Sequence, residues 1–269
     1  NWLATGHDLK YMAMHNGPVS NAFIVNDLRI MVWAANYLGK SDDAKYYGEQ
    51  LEKTRNAYIK AFVKKDGTMK DDYQGAYVMA LKMVIPSGEL WNKVYAQLIQ
   101  RLKKDGMQTG FFATEHILPL LADNGDEQLA FDLLLDERCG GWMYQVKAGA
   151  TTTWERWDAI KPDGAVNETK SNGDNMVSFN HYSFGSVGKF YYQYILGIQP
   201  LEPGFAKIKI QPRINSRIGA FSGSYKDILV AYDGQLLHIS TPADTQIILS
   251  DGTVHEVGAG TYDFPVKEQ

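Results

Sequence analysis

The sequence predicts a mainly helical chain, an incomplete (α/α)6 toroid, followed by a small antiparallel β-sandwich. Three observations carry this expectation. Apolar residues recur at helical spacing up to about Gly197 and alternate like strands after Gly204. The helical segments take turns between apolar on all sides and apolar along one stripe, the pattern of two concentric rings of helices. At 269 residues the chain can bury a core without a disulfide or metal staple. The boundary is placed so that residues 1–199 form the helical domain and 200–269 the β-domain.

The elements follow in order. Val19 to Leu38 is apolar almost all round, so it reads as a helix buried on every side, stopped by Gly39 and Lys40. The next helix opens at Ser41 as N-cap, with Asp42 and Asp43 in its first turn, and carries one stripe through Tyr47, Leu51 and Tyr58. Gly75 to Ile85 is again nearly all apolar, whereas Trp91, Val94, Leu98 and Leu102 form one stripe that ends at Gly106. The pair repeats in Phe111 to Leu121 and Asp126 to Asp136. A last helix is expected from Ser183 as N-cap to Gly197 as C-cap, with Phe184, Val187, Tyr191 and Ile195 as its stripe. Beyond it, strand-like runs at 206–210, 228–232, 236–241, 245–249 and 254–257 are separated by Asp-Gly, Pro and Gly turn signals.

These are about seven helices, where a closed (α/α)6 barrel has twelve, so the expectation is that further helices precede Asn1. Lys and Arg number 27 against 31 Asp and Glu, a net charge of −4 spread along the chain. That balance argues against nucleic acid or an anionic membrane as a main partner. A single cysteine, Cys139, permits no intrachain disulfide, and no apolar run reaches the roughly 20 residues of a membrane span. No signal segment opens the chain, which leaves cytoplasm and periplasm both open as compartments. The histidines lack HxH or HExxH spacing, and neither GxxxxGK[ST], GxGxxG nor GxSxG is present, so no metal and no cofactor is expected.

Residues 137–182 break the helical rhythm. A stretch this long without regular structure is functional or disordered, and its tryptophans argue against disorder. Two aromatic clusters fall here: Trp142, Trp154 and Trp157, then Phe179 to Tyr194 with seven rings in 16 residues. Rings build cores, and they also form flat platforms for sugar faces. Within Gly149-Ala-Thr-Thr-Thr-Trp-Glu-Arg-Trp-Asp158, Glu155 stands between two indoles, an environment that tunes a carboxyl for acid–base work. If the run is extended, Thr153, Glu155 and Trp157 share a face. The alternative is a surface glutamate paired with Arg156. In Ser178-Phe-Asn-His-Tyr-Ser-Phe-Gly185, His181 precedes a helix start, where the dipole favours the neutral ring that both donates and accepts. The alternative there is a histidine bonded into a cap. Asp71 and Asp72 before Gly75 read most simply as helix caps.

The run Trp142 to Asp158, the run Ser178 to Gly185, and the Leu-Gly-Ile-Gln-Pro, Pro-Gly-Phe and Ile-Gln-Pro-Arg pieces between 196 and 213 together resemble the bacterial α-L-rhamnosidases of glycoside hydrolase family 78. The resemblance implies an (α/α)6-barrel catalytic domain with a C-terminal β-sandwich. It also implies hydrolysis of terminal α-linked L-rhamnose with inversion, without metal or cofactor. Glu155 stands at the glutamate of the TTxWExW motif, the general base of that family. His181 stands at the histidine that contacts rhamnose. Trp142 matches the family's tryptophan ahead of Gly-Ala-Thr and Trp2 one near the sugar pocket, and both are expected to bind substrate. The substrate class is a small-molecule or oligosaccharide rhamnoside. The family's general acid belongs to a motif ahead of Asn1, and Asp72 and Glu115 are the only weak substitutes here. Asn1 stands where the family has Asp, and Met143 where it has Gly. The alternative expectation is therefore a catalytically inactive, rhamnoside-binding remnant of the same fold.

Overall fold

The computed structural model describes residues 9–167, 170–171, 174–175 and 177–266. By their contacts the residues form two compact units, Asn1–Gly185 and Ser186–Gln269. The position 199/200 expected for the domain boundary therefore falls within the second unit.

In the first unit, α1 spans Leu9–Met14, α2 Gly17–Tyr37 and α3 Ser41–Phe62. Then α4 covers Gln74–Met79 and runs on through a π-helical turn at Ala80–Val84. Helix α5 spans Glu89–Asp105, α6 Phe111–Asp123, α7 Glu127–Leu134 and α8 Trp142–Lys147. The alternation seen in the sequence is the packing order. Helix α4 is buried at every position, and α6 is buried from Ala113 to Ala122 except at Glu115. By contrast α5 buries only Val94, Leu98 and Leu102, an i, i+4, i+8 stripe. Helix α4 packs on α2 and α6, while α3, α5 and α7 pack on α2, α4 and α6 respectively. Polar struts tie outer helices to the inner ones: Tyr58 donates to the Pro18 carbonyl at 2.9 Å and the Trp91 indole to the Leu81 carbonyl at 3.2 Å. The inner–outer alternation makes the chain reverse at each step. The outer-to-inner loops (63–73, 106–110 and the long segment after α7) therefore all emerge at one end of the unit.

Two expectations are corrected. Helix α2 is not buried on all sides: Ile24, Ile30, Trp33 and Tyr37 are exposed. Apolarity all round reports what a helix could bury, and among the described residues nothing lies over that face. The caps also differ. Lys40 rather than Ser41 precedes α3, Tyr73 precedes α4, and none of these positions makes a side-chain cap. Asp71 instead bonds His15 at 2.6 Å, and Asp72 forms a two-pronged pair with Arg101 at 2.6 and 2.7 Å while accepting from Tyr77. For Asp72 an ion pair with a fixed guanidinium outcompetes a cap bond, and Asp71 is taken by the His15 ring.

The expected last helix is a composite. A 3-10 turn at Ser183–Val187 leads into α9 (Gly188–Phe190), and a π turn at Tyr191–Ile195 follows; Gly197 then closes it with φ of +72°. After the short pair β1 (Lys170–Ser171) and β2 (Asp174–Asn175) of the first unit, the second unit holds β3 to β10. These are Ile198–Pro200, Lys207–Ile210, Phe221–Tyr225, Ile228–Tyr232, Leu236–Thr241, Asp244–Ile248, Val254–Val257 and Gly260–Pro265. They form two four-stranded sheets, β10-β7-β6-β5 and β3-β4-β8-β9, antiparallel throughout except for the parallel pair β4–β8. Ile208, Ile210 and Ile247 of one sheet share a core with Val230, Leu237 and Ile239 of the other. On the outside, His238 of β7 pairs across the strand with Asp263 of β10 at 2.6 Å and reaches Asp233 of the preceding turn at 3.5 Å.

Candidate functional site

The site is assembled by the long segment that follows α7. Gly141 leads into α8 because only a bare Cα fits there: a Cβ would stand 2.4 Å from the Asp136 carbonyl oxygen. Helix α8 brings in Trp142, which is 6% exposed and donates its indole N–H to the Phe184 carbonyl at 2.9 Å. It also brings in Gln145, whose side-chain oxygen accepts from the Trp154 amide at 3.1 Å. The Gln145 side-chain nitrogen is buried and has no hydrogen-bond partner.

The two motifs are bound directly to each other. The Glu155 amide donates to the Ser178 carbonyl at 2.8 Å, and the His181 amide donates to the Thr153 carbonyl at 2.8 Å. Two threonine hydroxyls complete the clasp, Thr152 to the Phe179 carbonyl at 2.5 Å and Thr153 to the His181 carbonyl at 2.7 Å. The segment is bent rather than a strand, so the expected alternation fails. Trp154, Arg156 and Trp157 are all buried, while Glu155 is partly exposed.

Rings form the wall behind this clasp. Trp157, fully buried, stacks on Phe184 at 3.8 Å and 11° and donates its N–H to the Thr109 carbonyl at 2.7 Å. Trp142 meets Trp157 edge-on at 5.0 Å, and Phe111 meets Phe184 edge-on at 5.6 Å. Phe111 also stacks on the His181 ring at 4.8 Å, with Tyr182 stacked on the same imidazole at 5.2 Å. His181 is therefore held by its backbone on one side and by rings on its faces. Its Nδ1 accepts the Ser183 amide at 3.3 Å, so in the neutral ring the proton sits on Nε2.

Arg156 does not pair with Glu155. Its guanidinium bonds Asp158 at 3.0 and 3.3 Å, and Asn167 donates to the same carboxylate at 2.8 Å. The Glu155 carboxylate makes no hydrogen bond or ion pair among the described residues, which leaves it available to a ligand or water.

The other candidates lie elsewhere. Trp2 is outside the described residues. Asp72 is occupied by Arg101 and Tyr77. Burial opposes its ionisation, but these hydrogen bonds outweigh that and hold its carboxyl below the usual carboxylate range. Glu115 pairs with the neighbouring His116 at 3.0 Å. Cys139 sits against Tyr144; burial raises its thiol pKa and pushes the Tyr144 hydroxyl to about 12. Among the described residues, no group of three or more His, Cys, Asp or Glu could hold a metal ion, and no helix is long and apolar enough to cross a membrane. Residue-level reasoning missed Phe111, Thr109 and Gln145. The first two stand in the Thr-Gly-Phe run that opens an inner helix, a signal that was present; Gln145 had none.

Inner and outer helices in register, with the chemistry gathered on the outer-to-inner loops, define an α/α-toroid protein. The family model described as the bacterial alpha-L-rhamnosidase 6 hairpin glycosidase domain matches residues 1–195, and the chain belongs to that family. An α-L-rhamnosidase of Streptomyces avermitilis is 31% identical over 279 residues, covering 92% of this chain and 26% of its own length. One from an Alteromonas species is 32% identical over 211 residues, with coverages of 77% and 22%. The chain thus spans about a quarter of the length of these curated relatives. Among solved structures, the Streptomyces avermitilis α-L-rhamnosidase complexed with L-rhamnose superposes with a TM-score of 0.83 at 29% identity, covering 99% of this chain and 28% of that one. The native Aspergillus terreus enzyme gives 0.81 at 27% identity, with coverages of 93% and 30%.

Proposed function

We propose that the chain is the base-bearing part of an inverting α-L-rhamnosidase, with residues 1–199 as its share of the catalytic domain. The observation that carries this reading is the clasp between 152–155 and 178–181. It holds an unpaired carboxylate and a ring-packed imidazole on adjoining backbone segments. Glu155 acts as general base: it takes a proton from a water that attacks the anomeric carbon from the face opposite the leaving oxygen. His181 donates to a rhamnose hydroxyl through Nε2–H. Trp142 belongs to the wall against which the sugar lies. Inversion needs an acid about 6.5–9.5 Å from the base, leaving room for that water. Asp72 and Glu115 are both already tied into pairs.

That last observation also favours the second reading, a rhamnoside-binding remnant without turnover. Hydrolysis of p-nitrophenyl α-L-rhamnoside by the full-length protein that carries this chain, and by its Glu155→Gln variant, separates the two. Turnover that drops by about 10²-fold or more in Glu155→Gln supports the base assignment. Turnover that survives the substitution removes Glu155 from the mechanism. Saturable binding of L-rhamnose with no turnover, weakened by His181→Ala, assigns the remnant.

A further inference from the structure

We propose that Asp158 is a positioning residue for the base: it sequesters the Arg156 guanidinium and so leaves the adjoining Glu155 carboxylate free to take a proton. This rests on the reading of Glu155 as the base and extends it to the cation beside it.

The two residues compete by their places in the chain. Glu155 and Arg156 are consecutive, so their Cα atoms stand about 3.8 Å apart. A guanidinium makes its strongest bonds to a carboxylate, and burial makes such a partner obligatory. Between Glu137 and Asp163 the chain carries only two carboxylates, Glu155 and Asp158. Were Arg156 to take Glu155, the cation would hold that carboxylate ionised to lower pH and make it a poorer proton acceptor. It would also occupy the oxygens that a water must reach.

The local backbone decides which carboxylate is taken. Residues 155–158 form a bend and a turn, with Arg156 only 8% exposed and Glu155 partly open. The turn brings Asp158 back to Arg156, which donates to it from Nε at 3.0 Å and from Nη2 at 3.3 Å. Asp158 is in turn fixed from outside the motif. The Asn167 side chain donates to its carboxylate at 2.8 Å, and the Asn167 amide donates to the Ala159 carbonyl at 2.8 Å. Of the other titratable groups around these residues, His181 lies across the clasp and Asp163 accepts the Ala165 amide at 3.0 Å. Burial, aided by the Asp158 charge, keeps the Cys139 thiol and the Tyr144 hydroxyl protonated. Among the described residues none of these bonds Arg156.

Breaking the pair from its two ends therefore has unequal consequences. Loss of the Asp158 charge releases a cation next to Glu155, whereas loss of the guanidinium leaves no cation to release. An ion pair that only holds the fold suffers from either break, because each strands a charge.

Steady-state hydrolysis of p-nitrophenyl α-L-rhamnoside across pH, by the full-length protein that carries this chain, tests the asymmetry. Asp158→Asn is expected to lower kcat by about tenfold or more with little change in KM, and to move the acid limb of the kcat profile to lower pH. Arg156→Met should lose far less, and adding it to Asp158→Asn should restore most of the lost kcat. Thermal midpoints verify the fold of each variant. Should Asp158→Asn not fold, Asn167→Ala keeps both charges while loosening the Asp158 carboxylate, and moves the limb the same way by less. Equal losses of kcat in Asp158→Asn and Arg156→Met, or a double variant no better than Asp158→Asn, overturn the proposal and leave Glu155 as the base. A limb that stays in place in Asp158→Asn and in Asn167→Ala does the same. Absence of turnover in the unsubstituted protein, or turnover that survives Glu155→Gln, overturns it together with the base assignment.

Discussion

Trp157 and Phe184 stack face to face at 3.8 Å, although 27 residues separate them and each belongs to a different motif. Their contact lies directly behind the clasp that joins Glu155 to His181, so the positions of those two side chains depend on a dry aromatic layer. The indole nitrogen adds a directional tie, because the Thr109 carbonyl it reaches has no access to solvent.

Trp157→Phe keeps the stacking ring and deletes that tie. Leaving a buried carbonyl without its donor costs about 1–3 kcal/mol. The urea midpoint of the variant is expected to fall accordingly; an unchanged midpoint would show that water replaces the indole.

Thr153→Val tests the clasp itself. It preserves the shape but removes the hydroxyl that donates to the His181 carbonyl, with an expected loss of about 1 kcal/mol in stability. Under the proposed function, rhamnoside affinity weakens too, and Thr153→Ser restores both. A valine variant that binds like the parent would separate the hydroxyl from the site.

Asp72 gives the first pH dependence. Its folded pKa is depressed, so its pair with Arg101 stabilises the fold above the unfolded value of about 3.9 and loses that contribution as pH falls through the folded value. Asp72→Asn should therefore flatten the acid limb of the stability profile between about pH 5 and pH 2. Parallel profiles for parent and variant would contradict the pairing.

His238 works in the opposite sense. Hydrogen bonds that the ring donates to Asp263 first, then to Asp233, raise its pKa. Its contribution is complete below the unfolded value of about 6.5 and disappears as pH rises through the folded one. His238→Gln removes that slope on the neutral side, measured as the thermal midpoint of the chain across that window. The same slope in both proteins would place the pH sensitivity elsewhere.

Much of the fold was legible because burial imposes its period on the residues. Gly75 to Ile85 had to be an inner helix, and Val94, Leu98 and Leu102 had to mark an outer one. Helix α2 looked the same as α4 in sequence, yet one face stays open, since period measures what is apolar and not what covers it. The composite after Ser183 escaped notice because 3-10, α and π turns share similar apolar spacing over a dozen residues. The parallel β4–β8 pair escaped because strand alternation is identical in both directions. At the site, Glu155 and His181 stood out through their aromatic neighbours. Their mutual hydrogen bonds did not: threonine hydroxyls bonding to carbonyls some 28 residues away leave no local pattern.

The clasp has a consequence for how such a protein could change its specificity. Asn167 donates to the Ala159 carbonyl and to Asp158, and the Ser178 carbonyl accepts the Glu155 amide, so both ends of the stretch between Asn167 and Ser178 are anchored. Doubling the length of a closed loop costs only about 0.6 kcal/mol. Segments of different length and composition can therefore be exchanged there while Glu155 and His181 keep their places, which makes this stretch the natural point to graft new recognition onto an unchanged reaction centre.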